Sequence, residues 1–273
     1  MLNDAEIALV AREVKTRTGA VLTRELAGAV EIRLMPLARR EGFGSVQELI
    51  SAARIRADGA MWAAVADYLA QSDTRFFRDR QIYTQLRTGL LPAAFARRGH
   101  ERVRIWSAAC ATGQEPYSIA MIIEEMREQG LNPAAEIVAT DLSERLLEKA
   151  RAGLYTQFEV QRGLPIRKLI AHFEKAGDLW RICDRLRASV TFAPHNLMQH
   201  PGPLGRFDII LLCHVLSGFD PETRAAVVLR AADALATDGV IVLGAGETLP
   251  EGCDGLACEN GIVRKSADAR VAA

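Results

Sequence analysis

The stretch from Arg104 to Ser118 decides the fold, and it reads RIWSAACATGQEPYS. An apolar run at 103–106 leads into small residues, and a helix start follows near Pro116. Small residues between a strand and a helix let the backbone approach a ligand, although a simple tight turn has the same pattern. The stretch lacks both the G-x-G-x-x-G spacing of dinucleotide-binding loops and the Lys-Ser/Thr ending of P-loops. The sequence therefore disfavours both of these nucleotide-binding classes.

Other short apolar runs follow at intervals along the chain, namely Ile137–Ala139, Val190–Phe192, Ile209–Leu212 and Val240–Leu243. Helical segments separate these runs, with helix starts at Pro116, Ser143 and Asp220-Pro221. Alternation of this kind predicts an α/β fold with a mostly parallel sheet and helices on both faces. The stretch 153–187 is less regular, and we expect extra helix and hairpin elements there.

The first seventy residues predict helices only. Apolar residues recur at helical spacing in three segments, and Ser45 with Glu48 has the form of a capping box that opens a further helix. Pro36 should kink or end the second helix. We therefore expect a small helical domain over residues 1–72, followed by an α/β domain over residues 73–273.

Composition limits the class of protein. Hydrophobic residues make up 49% of the chain, and 34 basic residues balance 34 acidic ones. This balance gives no global support for binding to nucleic acid or to an anionic membrane. The chain has no apolar run long enough to span a bilayer and no signal peptide at its start, which predicts a cytoplasmic protein. The five scattered cysteines predict reduced thiols and no metal site.

Polar residues follow the strand runs at the edge where α/β sheets bind ligands. Asp141 comes after the second run and could bind both hydroxyls of a ribose, or it could cap the next helix. The third run is followed by Asn196 and Leu197, which suit the edge and face of an adenine, and the fourth by Cys213 and His214. Together these residues predict a pocket for an adenosine-containing ligand.

A second group of residues, DTRFFR at 73–78, lies between the two predicted domains. Its adjacent aromatic residues are flanked by arginines. On composition alone, this group is also compatible with a hinge that packs in a core.

These stretches resemble the chemotaxis receptor methyltransferases, the CheR family of protein-glutamate O-methyltransferases. Residues 74–78 resemble the family's N-x-T-x-F-F-R signature, and residues 104–118 resemble its R-[IV]-W-S-A-[AG]-[CA]-[SA]-[ST]-G-E-E-P-Y-S. Residues 139–143 stand where the family has A-[TS]-D-I-[DS]. The resemblance covers nearly the whole chain.

The resemblance implies a helical N-terminal domain joined to a Rossmann-like, S-adenosylmethionine-dependent methyltransferase domain, with S-adenosylhomocysteine as the product. It implies that Arg78 lies beside the reaction centre as the catalytic residue. The cofactor-binding residues that it implies are Ser72, Thr74, Arg78, Glu115, Asp141, Asn196, Leu197, Cys213 and His214. The predicted partners are the cytoplasmic helices of chemoreceptors, which would dock on a basic face of the second helix. That face comprises Arg24, Arg33, Arg39 and Arg40, and a merely solvated basic face is the alternative.

The chain departs from the family pattern at several positions. His214 replaces an asparagine that is expected to touch the cofactor, and Gly218 replaces a tyrosine usually placed at the methyl-transfer site. Ser72 and Gln114 replace a common asparagine and a common glutamate. These changes leave open two alternatives, which are a degenerate cofactor-binding scaffold module and a methyltransferase for another acceptor. The stretch 173–187 resembles a shortened version of the receptor-tethering hairpin of some members.

Overall fold

A computed structural model describes residues 2–22, 24–70 and 73–266. The chain forms two compact units. The helical unit contains residues 1–71 and 217–224, and the sheet unit contains residues 72–216 and 225–273. Among the described residues, no helix is long and apolar enough to cross a membrane.

The helical unit consists of amphipathic helices that share one apolar core. Their bounds are α1 Asp4–Thr18, α2 Arg24–Arg40, α3 Val46–Ile55 and α4 Gly59–Leu69. Residues of all of these helices are buried in the core, including Val10, Leu34, Leu49 and Trp62. Burying such side chains contributes about 1.5–3 kcal/mol each, so the predicted helical spacing determines how this unit packs.

The structure corrects one part of each of two local predictions in the helical unit, namely that Pro36 ends α2 and that Glu48 completes a capping box. Helix α2 continues through Pro36 to Arg40 and does not end at the proline. Pro36 lacks the N–H that would bond to the carbonyl of Ile32, but Ile32 is 77% exposed, so water reaches this turn. Ser45 accepts a hydrogen bond from the Glu48 N–H at 3.1 Å, as predicted, but the Glu48 carboxylate accepts from Gly44. Only half of the predicted capping box is therefore formed.

The segment 217–224 belongs to the helical unit although it is far from it in sequence. Phe219 forms an isolated antiparallel bridge with Ala20, and the carbonyl of Gly218 accepts a hydrogen bond from Val21 at 2.8 Å. Lys15 pairs with Asp220 at 2.6 Å. No local pattern in the sequence indicated that this segment would leave the sheet unit.

The sheet unit begins with helical turns that the sequence analysis did not identify. Helix α5, Arg80–Gln85, continues through a π-helical turn, Leu86–Leu90, into α6, Leu91–Arg98. Arg98 donates from Nε to the buried carboxylate of Asp208 at 2.8 Å. The same carboxylate accepts from the N–H of Arg104 at 2.9 Å. Asp208 thus joins the end of α6 to the start of the sheet.

The remaining elements of the sheet unit alternate between strands and helices. The strands are β1 Val103–Ala108, β2 Ala135–Asp141, β3 Leu154–Tyr155, β4 Phe173–Ala176, β5 Leu179–Ile182, β6 Val190–Pro194, β7 Phe207–Leu212, β8 Leu235–Leu243, β9 Leu256–Glu259 and β10 Ile262–Lys265. The helices are α7 Gln114–Glu128, α8 Glu144–Ala152, α9 Gln157–Gln161, α10 Ile166–His172, α11 Asp184–Ala188 and α12 Pro221–Asp233. Helix α7 begins two residues before the predicted start at Pro116.

Among the described residues, seven strands form a sheet with the order β6-β2-β1-β7-β8-β10-β9. The strands from β6 to β8 are parallel, and β10 and β9 add an antiparallel edge. The chain proceeds outward from β1 in one direction and then returns to β7 on the other side, so the strand order reverses between β1 and β7. This confirms the predicted α/β class and places the ligand-binding crevice at the tips of these strands.

A small three-stranded sheet, β3-β5-β4, accounts for the irregular stretch after Gly153. Strands β4 and β5 pair as an antiparallel hairpin from Phe173–Ile182 to Ala176–Leu179. The extra helix and hairpin elements predicted for this stretch are both present. The hairpin is short, because each of its strands has four residues and only Gly177 and Asp178 connect them.

Replacing Pro36 by alanine restores the missing helix donor at an exposed position. Pro36→Ala is expected to raise the free energy of unfolding by about 1–2 kcal/mol, after allowing for the greater freedom of the unfolded variant. Urea unfolding measures this change. Arg39→Ala, on the same exposed side of α2, is the control and should change stability by less than about 0.5 kcal/mol. An unchanged or lower stability of Pro36→Ala would show that the proline fits this helix without cost.

Candidate cofactor site

The predicted ligand residues lie at the carboxyl ends of four neighbouring parallel strands. The tip of β2 carries Asp141, and the loop after β1 leads into α7 with Glu115 in its first turn. Asn196 and Leu197 follow β6, and Cys213 with His214 follows β7. The order β6-β2-β1-β7 therefore places the strand tips with these residues side by side.

The loop after β1 has an unusual backbone that depends on small residues. Ala109 and Ala111 have φ angles of 54° and 48°, and Gly113 has a φ of 90°. Left-handed conformations cost non-glycine residues roughly 1–2 kcal/mol, so tertiary contacts must hold this loop. A Cβ atom on Gly113 would lie 3.0 Å from Cβ of Ala150, which leaves no room for a side chain.

Asp141 holds this loop against the tip of β2. Its Oδ2 accepts a hydrogen bond from the N–H of Ala111 at 2.8 Å, and its Oδ1 accepts from the N–H of Ser143 at 2.9 Å. The N-cap of α8 is Ser143, whose hydroxyl accepts from Leu146 at 3.2 Å. Asp141 is therefore not the capping residue, which was the alternative interpretation. Its carboxylate instead fixes the small-residue loop at the strand tips.

Glu115 is partly buried, and its carboxylate accepts hydrogen bonds from a residue of β1 and from the residue that follows β7. Its Oε1 accepts a hydrogen bond from the hydroxyl of Ser107 at 2.7 Å. Burial raises the pKa of Glu115 to about 7, although hydrogen bonds from Ser107 and Cys213 and the nearby charge of Arg78 oppose the increase. Burial also raises the pKa of the Cys213 thiol. A ligand cation near Glu115 would favour the ionised carboxylate.

The segment Thr74–Arg78 combines a core anchor with a partly exposed arginine. Phe76 is fully buried and lies edge-on to Tyr155 and Phe173, with ring centroids 5.1 and 5.6 Å away. Part of this segment is thus packed in a core, as the alternative interpretation expected. The side chain of Arg78 is 28% exposed and donates from Nη1 to the carbonyl of Asp73 at 2.7 Å. Thr74 is partly buried, and Ser72 lies outside the described residues.

The residues after β6 form a compact turn. The side-chain Oδ1 of Asn196 accepts a hydrogen bond from the N–H of Met198 at 3.0 Å, and Leu197 is half-buried. The N–H of His195 donates to the carbonyl of Asp141 at 3.0 Å. The turn is therefore tied directly to the tip of β2, next to the loop that Asp141 holds.

His214 connects three segments of the sheet unit that the sequence analysis did not bring together. Its ring donates from Nε2 to Oδ2 of Asp79 at 2.5 Å, and its N–H donates to Oε2 of Glu247 at 2.8 Å. Asp79 and Ser107 both lie among the candidate site residues, although the sequence did not indicate either of them. Asp79 follows Arg78 directly and stands before α5. An aspartate in this position indicates an ordinary helix cap when only the sequence is considered.

The donor set at these strand tips fits an adenosyl sulfonium. A carboxylate at the end of β2 suits ribose hydroxyls, and Glu115, which a ligand cation would keep ionised, suits a cationic methionine portion. The small residues of the loop 109–113 let its backbone come close to a ligand. Among the described residues, no group of His, Cys, Asp and Glu could hold a metal ion.

The raised pKa of Glu115 predicts a pH-dependent stability. Its folded pKa, about 7, exceeds the ordinary value of 4.5, so the folded protein keeps a proton that the unfolded chain has lost. The stabilisation is complete below about pH 4.5 and is lost as the pH rises through 7. Glu115→Gln should differ from the wild type by less than about 1 kcal/mol at pH 5 and be more stable by about 3 kcal/mol at pH 8.

Urea unfolding at both pH values without added ligand tests this prediction. The exposed Glu174→Gln is the control and should give the same small difference at pH 5 and pH 8. Equal stability of the wild type and Glu115→Gln at pH 8 would contradict the raised pKa.

Comparison with known proteins agrees with this geometry. Residues 72–261 match the family described as "CheR methyltransferase, SAM binding domain". A chemotaxis protein methyltransferase of Vibrio parahaemolyticus is 35% identical over 270 residues, which cover 97% of this chain and 98% of that protein. Chemotaxis protein methyltransferase 1 of Pseudomonas aeruginosa is 34% identical over 256 residues, covering 91% and 93% of the two chains. This chain therefore belongs to the CheR methyltransferase family and is an S-adenosylmethionine-dependent methyltransferase.

Proposed function

We propose that this protein transfers the methyl group of S-adenosylmethionine to glutamate side-chain carboxylates of chemoreceptors, which gives glutamate methyl esters. The observation that carries the proposal is the cradle at the strand tips, where Asp141 holds the strained loop 109–113 beside Glu115. The similarity to chemotaxis protein methyltransferases over nearly the whole chain supports the choice of acceptor.

The reaction asks little acid–base chemistry of the protein. S-adenosylmethionine supplies an electrophilic methyl group on a sulfonium. A free glutamate has a pKa of about 4.3, so the acceptor is already ionised at neutral pH and no general base is needed. The residues of this chain must instead align the acceptor carboxylate with the methyl carbon and exclude water, and alignment alone can supply a large rate enhancement.

We assign individual roles on this basis. Asp141 binds the ribose hydroxyls, Asn196 and Leu197 hold the adenine, and Glu115 faces the cationic methionine portion of the cofactor. Arg78 orients the acceptor carboxylate beside the sulfonium. Its guanidinium pairs with the exposed carboxylate of Asp73 at 3.4 Å, and an acceptor carboxylate would take the place of this partner. Ser72, Thr74 and Cys213 complete the predicted cofactor-binding set, whereas the ring of His214, which belongs to the same predicted set, is already bonded to Asp79. The departure at Gly218 removes an orienting tyrosine but no proton acceptor, so the chemistry does not depend on it.

The basic face of α2 is the proposed docking surface for acidic receptor helices. Arg33 and Arg40 are seven residues apart and lie on one side of the helix, and Arg39 is exposed next to Arg40. Arg40 already pairs with Glu41 at 2.8 Å and lies 5.5 Å from the ring of Tyr68. Arg33 and Arg39 therefore contribute most to this surface. The side chain of Arg24 is not among those that the structure describes. Since this surface would meet the cytoplasmic helices of receptors, we place the protein in the cytoplasm.

Methyl transfer to receptor-bearing membranes tests the proposed function. Purified protein with radiolabelled S-adenosylmethionine should label the receptor, and the label should be released by mild base, as expected of a methyl ester. Arg78→Ala should lower kcat by about a hundredfold, because the acceptor loses its orienting cation, an effect of about 2.7 kcal/mol. Membranes without receptors are the control.

Two outcomes would contradict this function. Binding of S-adenosylhomocysteine without label in any receptor would favour a degenerate scaffold module. Base-stable label, or label in soluble lysate instead of membranes, would favour a different acceptor.

The docking surface predicts a separate kinetic effect. Arg33→Glu combined with Arg39→Glu should raise the KM for receptor membranes about tenfold and leave the affinity for S-adenosylhomocysteine unchanged, because like charges then repel the acidic partner. Higher ionic strength should weaken wild-type docking in the same direction. Arg12→Glu on α1, whose side chain is 71% exposed, is the matched control. An equal effect of both charge reversals would indicate that no specific face is used.

A further inference from the structure

Asp79 stands at a position where its side chain would ordinarily cap a helix. It is the N-cap residue of α5 and has an extended backbone, yet its side chain makes no capping hydrogen bond. Its Oδ2 instead accepts from Nε2 of His214 at 2.5 Å and from the N–H of Ala245 at 2.9 Å. An aspartate at an N-cap contributes about 1 kcal/mol to its helix, so this carboxylate has been diverted to another use.

The backbone and surroundings of His214 are arranged around this contact. His214 has a φ of 60°, a left-handed conformation that persists only where surrounding contacts hold it. Glu247 supplies one such contact, because its Oε2 accepts from the N–H groups of both His214 and Gly244. A Cβ atom at Gly244 would lie 2.9 Å from Cε1 of His214, so only glycine leaves room for this ring.

The contact joins three segments that border the cofactor site. Asp79 is the neighbour of Arg78, His214 follows β7, and Ala245 follows β8. The side chains of His214 and Asp79 are only 22% and 14% exposed, so water screens their interaction weakly. An asparagine, the family's residue at position 214, carries its amide nitrogen one bond nearer the backbone than Nε2 of histidine. It would reach less far towards Asp79.

We propose that His214 and Asp79 form a positioning pair that holds Arg78 and the tips of β7 and β8 in the geometry needed for methyl transfer. His214 acts through Asp79 on Arg78, and the pair takes no part in proton transfer. This inference rests on the proposed role of Arg78. It differs from the family pattern, in which the residue at position 214 is an asparagine expected to touch the cofactor.

Alanine and glutamine substitutions separate positioning from general stability. His214→Ala and Asp79→Ala should each lower kcat about tenfold and weaken S-adenosylhomocysteine binding about fivefold, with the KM for receptor membranes unchanged. The double variant should be no worse than either single variant, because both remove the same interaction. His214→Gln has an amide nitrogen as many bonds from Cβ as Nε2 of histidine, and it should recover to within about threefold of the wild type.

A second His–Asp pair in the same unit provides the control. His200 lies 3.7 Å from Asp233, and both side chains are more than 60% exposed. His200→Ala and Asp233→Ala should leave kcat and cofactor affinity unchanged. If His214→Ala fails to fold, Asp79→Ala and His214→Gln still carry the comparison.

The outcomes separate this inference from the proposed function. If the wild type methylates receptors and both alanine variants keep its kcat and its affinity for S-adenosylhomocysteine, the positioning pair is overturned and the proposed function stands. Failure of His214→Gln to exceed His214→Ala, or additive losses in the double variant, would also overturn it. If the wild type methylates no receptor, the proposed function fails. The pair is then judged on S-adenosylhomocysteine affinity by calorimetry, where unchanged binding in both alanine variants overturns it.

Discussion

The hydrogen bond from the Ala111 N–H to the Asp141 carboxylate is the contact on which the proposed cofactor site depends. Ala109, Ala111 and Gly113 all have left-handed backbones, a conformation that an isolated loop would leave. A buried carboxylate at the end of the neighbouring strand holds this loop, and the parallel pairing of β1 with β2 places that carboxylate correctly. The sheet therefore holds the strained loop in the conformation that the proposed ligand contacts require.

The parallel sheet could be predicted from the sequence because local hydrophobic patterns determine its strands. Apolar runs such as Ile209–Leu212 became fully buried central strands, since a parallel sheet covered on both faces requires continuous hydrophobic residues. The place of Asp141 at the carboxyl edge of the sheet could also be predicted, because the ends of parallel strands meet at one edge and Asp141 directly follows an apolar run. The resemblance to a family then assigned chemistry to that edge.

Contacts between distant segments could not be predicted in this way. Asp79 and His214 are 135 residues apart. From the local sequence, Asp79 looks like an ordinary helix cap and His214 like a solvated histidine, so neither indicates a positioning pair. The segment 217–224 joins the helical unit through Phe219 and Asp220, although it lies between elements of the sheet unit in sequence. Pro36 failed as a helix terminator because its missing hydrogen bond faces water, and exposure at one turn is a tertiary property.

The departures from the family pattern are informative when they are considered together with their surroundings. A histidine at position 214 needs an acceptor within reach, room for its ring and support for its backbone. Asp79, Gly244 and Glu247 provide these three conditions from three different segments. These contacts come from separate segments, so the histidine at position 214 is part of the packing that orders the strand tips. The substitution is thus better explained as a replacement of one way of ordering the strand tips by another. In a reaction that needs alignment and no base, ordering those tips is the main task that the protein performs.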